Sequence, residues 1–304
     1  MSLRQWLWLC LLSVLWGSAF IFMEVALSTF SPVLIVTGRM SIAAVVLNGV
    51  LWRQSKHRGA SRQSMPLALW LKCGGLSLLN NLVPFGLVVW GQQHISASLA
   101  SILIAAAPLF TVVLATFLVG ERLTLIRSMG VALGFAGVIV LVGPEVLRGF
   151  DLKGLGELAI LGAALSYAVA GFIGRRFKAM PSQLLSTMTL TMGALMMMGL
   201  TGAIALASHQ PLITGWRWSA GLSVVCLGLF STASAYLIYY RLLAQAGVVN
   251  TSLVSFLVPL STLILGATFL GERLDAASIV GMMLILVGLA VLDGRMLKRF
   301  RAAR

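Results

Sequence analysis

PLFTVVLATFLVGERLTLIRSMGVALGFAGVIVLVG, residues 108–143, returns as PLSTLILGATFLGERLDAASIVGMMLILVGLAVLDG at residues 259–294. The offset is 151 at every position, and 14 of the 36 pairs are identical. Pro108 meets Pro259, Gly120-Glu121-Arg122-Leu123 meets Gly271-Glu272-Arg273-Leu274, and Gly130, Gly137 and Gly143 meet Gly281, Gly288 and Gly294. Apolar composition alone produces fewer matches, so the chain carries an internal repeat. Each copy reads as a proline inside an apolar run, a glycine turn, and a second apolar run of helical length. The register extends outward and sets Trp16 against Tyr167.

Of the 304 residues, 59% are hydrophobic and 10% are charged, against roughly 25% charged in an ordinary soluble domain. Most of such a surface cannot face water, so lipid is the expected solvent. Apolar windows of about 20 residues, the length that crosses a hydrocarbon core at the helical rise, recur along the chain with short connectors. They predict helices near 5–27, 33–52, 67–91, 96–119 and 125–143, then near 154–174, 184–206, 217–240, 248–270 and 276–294. The expected fold is an all-α integral membrane protein of ten transmembrane helices in two five-helix repeats. The repeats span 1–143 and 154–295, joined by a connector at 144–153 and followed by a basic tail at 296–304. Five crossings is an odd number, so the second repeat must enter the membrane from the opposite face. Inverted repeats of this kind place a site near the midplane between them, and two conformations arise when the halves exchange roles.

A formal charge of +14 would suggest nucleic acid as a partner in a soluble protein. Here the placement of the cations explains it as topology. Seventeen of the 22 Lys and Arg residues fall on the side of the two termini, four on the other side, and Arg39 inside helix two. By the positive-inside rule both termini are expected in the cytoplasm, in a cell membrane of the bacterial inner-membrane type, with lipid and a small solute as partners and no nucleic acid. Residues 1–27 resemble a signal sequence in Arg4 and an apolar run, but no small-residue cleavage site follows, so helix one is expected to be retained. Cys10, Cys73 and Cys226 lie in apolar helices without metal or disulfide spacing and read as packing residues.

The five-plus-five arrangement, with Trp16-Gly17 in helix one, Pro32 and Arg39 around helix two, and the paired proline and Gly-Glu-Arg-Leu segments, resembles the EamA family of the drug/metabolite transporter superfamily. The resemblance covers nearly the whole chain. It implies a cavity walled by helices one, three, four, six, eight and nine. It also implies a solute drawn from amino acids, other metabolites or toxic organic compounds, in a family that consists mostly of exporters.

Pro108 and Pro259 sit inside helices four and nine, where each removes a backbone donor and frees the carbonyl of Ile104 or Ser255. Their symmetry points to gating hinges; a static kink is the alternative. Trp16 and Tyr167 lie near the middles of their helices, whereas such rings usually collect at the membrane interfaces. A polar ring edge at that depth needs a partner, which a cavity or a helix neighbour can supply. On the helices that the resemblance assigns to the cavity wall, the polar candidates are Asn80, Asn81, Ser98, Thr232, Tyr236, Tyr239, Asn250 and Ser255. Each could also bridge helices with no ligand at all. Trp90, Tyr240 and Arg241 fall at helix ends and read as interfacial anchors.

Glu24 and Arg39 are the charges placed inside helical spans, and each costs about 2.5 to 3.5 kcal/mol if left unpaired at mid-membrane. Their depths from the first hairpin are similar, so they are expected to pair, as a structural salt bridge or as a proton-sensitive or carboxylate-binding site. The Gly-Glu-Arg-Leu turns read as hairpin clasps, with Gly ending one helix and Thr124 or Asp275 capping the next. Gly130 and Gly134 have the small-xxx-small spacing that permits close helix approach within the chain; the oligomeric state stays open.

An intramembrane enzyme would need a nucleophile and base, or a metal set, at membrane depth. His57, His94 and His209 all fall in the expected connectors, and neither a His-Glu-x-x-His helix nor a Gly-x-Ser-x-Gly elbow occurs, so neither enzymatic activity nor a cofactor is expected. The Gly-x-x-x-x-Gly-Lys-Ser/Thr loop of ATP hydrolysis is missing as well. The expectation is therefore an alternating-access carrier, with a channel or a non-transporting membrane scaffold as the competing class.

Overall fold

The computed structural model describes residues 2–57, 65–120, 124–142, 151–207 and 211–293. Among the described residues it is helical apart from one isolated bridge between Phe30 and Ile213. In chain order α1 is Leu3–Leu27, α2 Pro32–His57, α3 Leu67–Gly91, and α4 the two segments Ala97–Ile104 and Ala107–Val119. Then follow α5 Leu125–Val142, α6 Leu152–Gly174, α7 Ser182–Ala207, α8 Trp218–Gly247, α9 Val254–Leu270 and α10 Ala276–Asp293. The first eight are long and apolar enough to cross a membrane, while α9 and α10 are shorter apolar helices. All ten fall on the segments expected from the apolar windows.

The caps follow from local chemistry. Ser2 and Gln5 form a reciprocal capping box at α1, and the Asp151 carboxylate accepts from the Gly154 amide at 2.8 Å to start α6. Gly120 and Gly271 take left-handed φ values of 71° and 66° after α4 and α9, a conformation that glycine adopts without a Cβ clash. At the second turn Asp275 accepts from the Ser278 amide at 2.8 Å. Glu121, Arg122 and Leu123 of the first turn, and Gly143 and Gly294, lie outside the described residues.

The burial pattern is that of a protein dissolved in lipid. Phe117, Leu125 and Leu206 are 80%, 78% and 92% exposed, whereas Ser77, Asn81, Ser101, Ser231 and Thr262 are buried among the helices. Apolar side chains face outward because hydrocarbon is as good a solvent for them as the core, and hydroxyls face inward because only another helix offers them a partner. Such pairs tie the helices together. Ser13 meets Ser261 at 3.0 Å between α1 and α9, Thr37 meets Thr201 at 2.7 Å between α2 and α7, and Asn48 donates to Thr191 at 2.8 Å.

The repeated segments themselves form one contact. A Cβ added at Gly137 would lie 2.6 Å from the Gly281 carbonyl oxygen, and one at Gly130 2.9 Å from that of Gly288. Rising numbers on α5 therefore meet falling numbers on α10, so the two helices cross antiparallel. The close glycine approach lies within one chain, and it lets backbone carbonyls reach across the crossing.

Two helices carry a π-bulge at corresponding repeat positions, α3 at Leu78–Leu82 and α8 at Leu229–Ser234. On α3 the cause is Pro84 just beyond, which has no amide to donate back. On α8 no proline is present. There the Thr232 hydroxyl takes the carbonyl of Leu227, five residues earlier, at 2.8 Å.

Candidate functional site

The helices enclose a cavity of about 830 Å³. Trp16, Arg39 and Tyr167 stand on its wall at mid-helix, on α1, α2 and α6. Ile104, Ala105, Ala107 and Pro108 contribute from around the break in α4, and Ser255 and Pro259 from α9. The lining continues along the helices to Ser182 and Ser186 at the start of α7, Tyr240 and Leu243 late in α8, and Ser252 just before α9. These last positions share one end of the bundle.

Aromatic rings give the chamber its chemistry. Trp16 packs on Tyr239 with centroids 5.6 Å apart and planes at 38°. Tyr236 stacks on Tyr240 at 5.9 Å and 15°, and the Tyr240 hydroxyl donates to that of Ser186. Arg39 is only 8% exposed. Its Nε donates to the Thr232 hydroxyl at 2.9 Å, and its guanidinium lies 3.8 Å from the centroid of the Phe85 ring.

The opposite end is tied together by hydrogen bonds among helices and connectors. Gln92, just past α3, donates from Nε2 to the Phe20 carbonyl at 3.0 Å and to a Glu24 carboxylate oxygen at 3.4 Å. Glu272, in the turn after α9, accepts the Ala97 amide at 2.8 Å, the Ser98 amide at 3.0 Å and the Ser98 hydroxyl. A carboxylate from the second half thus caps the first turn of α4, where helix amides have no partner of their own. The Ser31 amide donates to the Leu212 carbonyl at 3.0 Å, and the Thr214 amide to the Thr29 carbonyl at 2.8 Å.

A membrane-embedded bundle with this chamber has counterparts among known proteins. The family model described as the EamA-like transporter family matches residues 4–143 and again residues 154–292. The chain belongs to the EamA-like transporter family. It is similar to an uncharacterized transporter, YoaV, of Bacillus subtilis, with 26% identity over 91% of this chain and 92% of that one. A probable terminal-alkyne amino-acid exporter of Streptantibioticus cattleyicolor is 27% identical over 100% of this chain and 98% of its own length. A probable amino-acid metabolite efflux pump of Escherichia coli is 26% identical over 96% and 95%. One solved crystal structure aligns with a TM-score of 0.64 over 97% of this chain and 99% of that chain, at 21% identity, which is a likeness of fold. The protein is accordingly a multi-pass membrane protein of a transporter family.

In this EamA-like chain the structure sorts the residues that the sequence singles out. Trp16, Asn80, Tyr167, Tyr236, Tyr239 and Ser255 line the chamber, as do Pro108, Pro259 and Arg39. Four others do not. Asn81 is fully buried and donates to the Ser77 hydroxyl at 3.2 Å. Ser98 is held by Glu272 at the tied end, Thr232 stands behind the wall between Leu227 and Arg39, and the Asn250 amide donates to the Ala246 carbonyl at 2.8 Å. For Ser98, Thr232 and the Asn250 amide a group of the protein supplies a partner, whereas Asn81 donates to Ser77 and its buried Oδ1 has none among the described residues.

The expected ion pair between Glu24 and Arg39 does not form. Similar depth is insufficient, because Arg39 turns toward the α8 π-bulge while Glu24 turns to Gln92. Tyr240, read as an interfacial anchor, lines the chamber, and α8 runs on to Gly247, beyond the expected end near 240. Gln92 and the buried Glu157 of α6 escape notice in the sequence. Gln92 reads there as a loop residue, and Glu157 sits close to a helix start.

Proposed function

We propose that this protein is a secondary transporter that moves small organic solutes outward across a bacterial inner membrane by alternating access. In this reading two inverted repeats, 1–143 and 154–295, joined by 144–153, rock around the chamber between them. Both termini and the basic tail at 296–304 lie in the cytoplasm. The observation that carries the proposal is a chamber between the halves that reaches one end of the bundle and is latched at the other. The crossing of α5 and α10 supports the inversion. Gly130 against Gly288 and Gly137 against Gly281 are the same contact with the copies exchanged, and an antiparallel crossing of equivalent helices requires a twofold axis across them. In a membrane such an axis lies in the membrane plane.

Ser182 follows Arg175, Arg176 and Lys178, so the accessible end corresponds to the cytoplasm by the positive-inside rule. The names of the exporter and efflux-pump relatives favour outward movement, with amino acids, related metabolites or toxic compounds as the solute range. The test is flux in proteoliposomes against a panel of amino acids, metabolites and cationic dyes. Trp16→Ala and Tyr167→Ala should each lower saturable flux about tenfold or more, as loss of aromatic contact at a binding site does, with membrane insertion unchanged. Full saturable flux in both variants removes these rings from the site, and conductance without saturation replaces the carrier with a channel.

A further inference from the structure

We infer that the solute carries a carboxylate and that Arg39 is the group that receives it. The inference deepens the carrier proposal and rests on it for the use of the chamber.

Arg39 is a buried cation on the cavity wall, and no carboxylate of the described residues lies within ion-pair distance of it. Glu24 is engaged by Gln92 at the tied end. Among the described residues only the Nε of Arg39 is hydrogen-bonded, to Thr232. That bond is itself fixed, because the Thr232 proton is used on the Leu227 carbonyl and a lone pair is left for Arg39. Phe85 covers one face of the guanidinium. What remains is the terminal fork of two nitrogens, with no hydrogen-bond acceptor among the described residues and the Tyr167 and Tyr236 phenols as electrostatic neighbours. A planar fork of donors matches a carboxylate with two parallel charge-assisted hydrogen bonds.

An unpaired cation at membrane depth is kept where a function needs it. The repeat makes the point independently, because the position 151 residues after Arg39 is Leu190, a fully buried aliphatic residue. The scaffold at this site can therefore be built without a charge. The rest of the chamber suits the remainder of such a solute. Trp16 and Tyr239 offer ring faces for an apolar side chain or an ammonium group, and Asn80 and Ser255 offer neutral polar edges. Amino acids with apolar side chains and simple aryl or alkyl carboxylates fit this pattern. Permanently cationic dyes do not, because Arg39 repels them.

The test uses the full-length protein in lipid nanodiscs and in proteoliposomes with four probes: phenylalanine, 3-phenylpropanoate, phenylalaninamide and tetraphenylphosphonium. The wild type should bind the two carboxylates about tenfold or more tightly than the other two. Arg39→Gln should erase that preference, and Arg39→Lys should keep part of it as a point charge. Equal binding of phenylalanine and phenylalaninamide by the wild type overturns the inference, as does unchanged binding of 3-phenylpropanoate by Arg39→Gln. Should Arg39→Gln fail to fold, the wild-type comparison and Arg39→Lys decide alone. Carboxylate binding without saturable flux keeps the Arg39 site and ends the carrier proposal. Saturable flux of the amide or the cation at the carboxylate rate keeps the carrier and ends the Arg39 site.

Discussion

α4 and α9 are copies of one another with a proline at the same register, yet they break in different places. α4 is interrupted at Ala105–Ala106, two residues before Pro108, whereas α9 runs unbroken through Pro259 and the chain breaks just before it starts, at Ser252–Leu253. Shifted by 151, the first break would fall at 256–257 and the second at 101–102, so the breaks are not equivalents. The first turn of α4 is held by a carboxylate of the opposite half. The run leading into α9 passes through Gly247, whose φ of 78° and ψ of 167° are not helical. Sequence symmetry with conformational asymmetry is what an alternating-access protein shows in any one state: each copy holds the shape that its partner holds in the other state. On the alternating-access proposal, the difference between α4 and α9 is the transition itself.

The sharpest way to break this comparison is to replace the prolines one at a time. If the copies exchange shapes, each break is used once per cycle, and Pro108→Ala and Pro259→Ala should both lower flux about tenfold or more. A helix-interior proline is worth about 3 kcal/mol, and 1.4 kcal/mol is already a factor of ten. Counterflow in proteoliposomes reads both. A loss confined to Pro108→Ala would mean that the α4 break is permanent architecture and that the asymmetry says nothing of transport.

A second, smaller effect is expected at the tied end. Glu272 contributes charge-assisted hydrogen bonds to α4, each worth about 1.5 to 3 kcal/mol. Glu272→Gln keeps the shape but loses the charge, and a carboxamide can accept at only one atom. The population with this end open should rise severalfold to about tenfold. A cysteine placed at Met23, which lines the chamber beneath Phe20, would report it through faster labelling by an impermeant thiol reagent in right-side-out membranes. Unchanged labelling would make Glu272 a simple helix cap with no part in access.

Legibility in the sequence followed the length scale of the force involved. The helices were readable because spanning hydrocarbon is a property of about 20 consecutive residues, and the glycine turns because left-handed backbone leaves few residue choices. The depth of Trp16 and Tyr167 was readable and left a cavity or a helix neighbour as their partner; both line the chamber. Thr232, Asn81 and Ser98 were not separable from them by that rule. A hydroxyl or amide inside the bundle has the same reason to exist whether a helix or a solute satisfies it, and which one does so depends on a π-bulge or a distant carboxylate. Arg39 could be placed inside the membrane, but its direction was decided by Thr232, 193 positions away. The lining position of Tyr240 was hidden by a boundary error of a few residues, since α8 continues past it.

The smallest effect should come from Glu24, and it bears on what the comparison of halves leaves out. The position 151 residues after Glu24 is Arg175, so this carboxylate has no counterpart, just as Arg39 has none. The two differ in place. Arg39 stands in the chamber wall, whereas Glu24 is absent from the lining and shares a hydrogen bond with Gln92 at the tied end. A residue that couples protons to transport must exchange them with the chamber or with the solvent in alternate states. A residue that only braces the end need not. Glu24→Gln keeps an acceptor for the Gln92 amide, so flux driven by a pH gradient should stay within about twofold of wild type, with the same pH profile, since one neutral hydrogen bond is worth about 0.5 to 1.5 kcal/mol. Loss of the pH response with flux retained would instead make Glu24 the proton carrier. Two charges of the first half, neither with a charged counterpart of its own sign in the second, would then divide the work, Arg39 for the solute and Glu24 for the coupling ion.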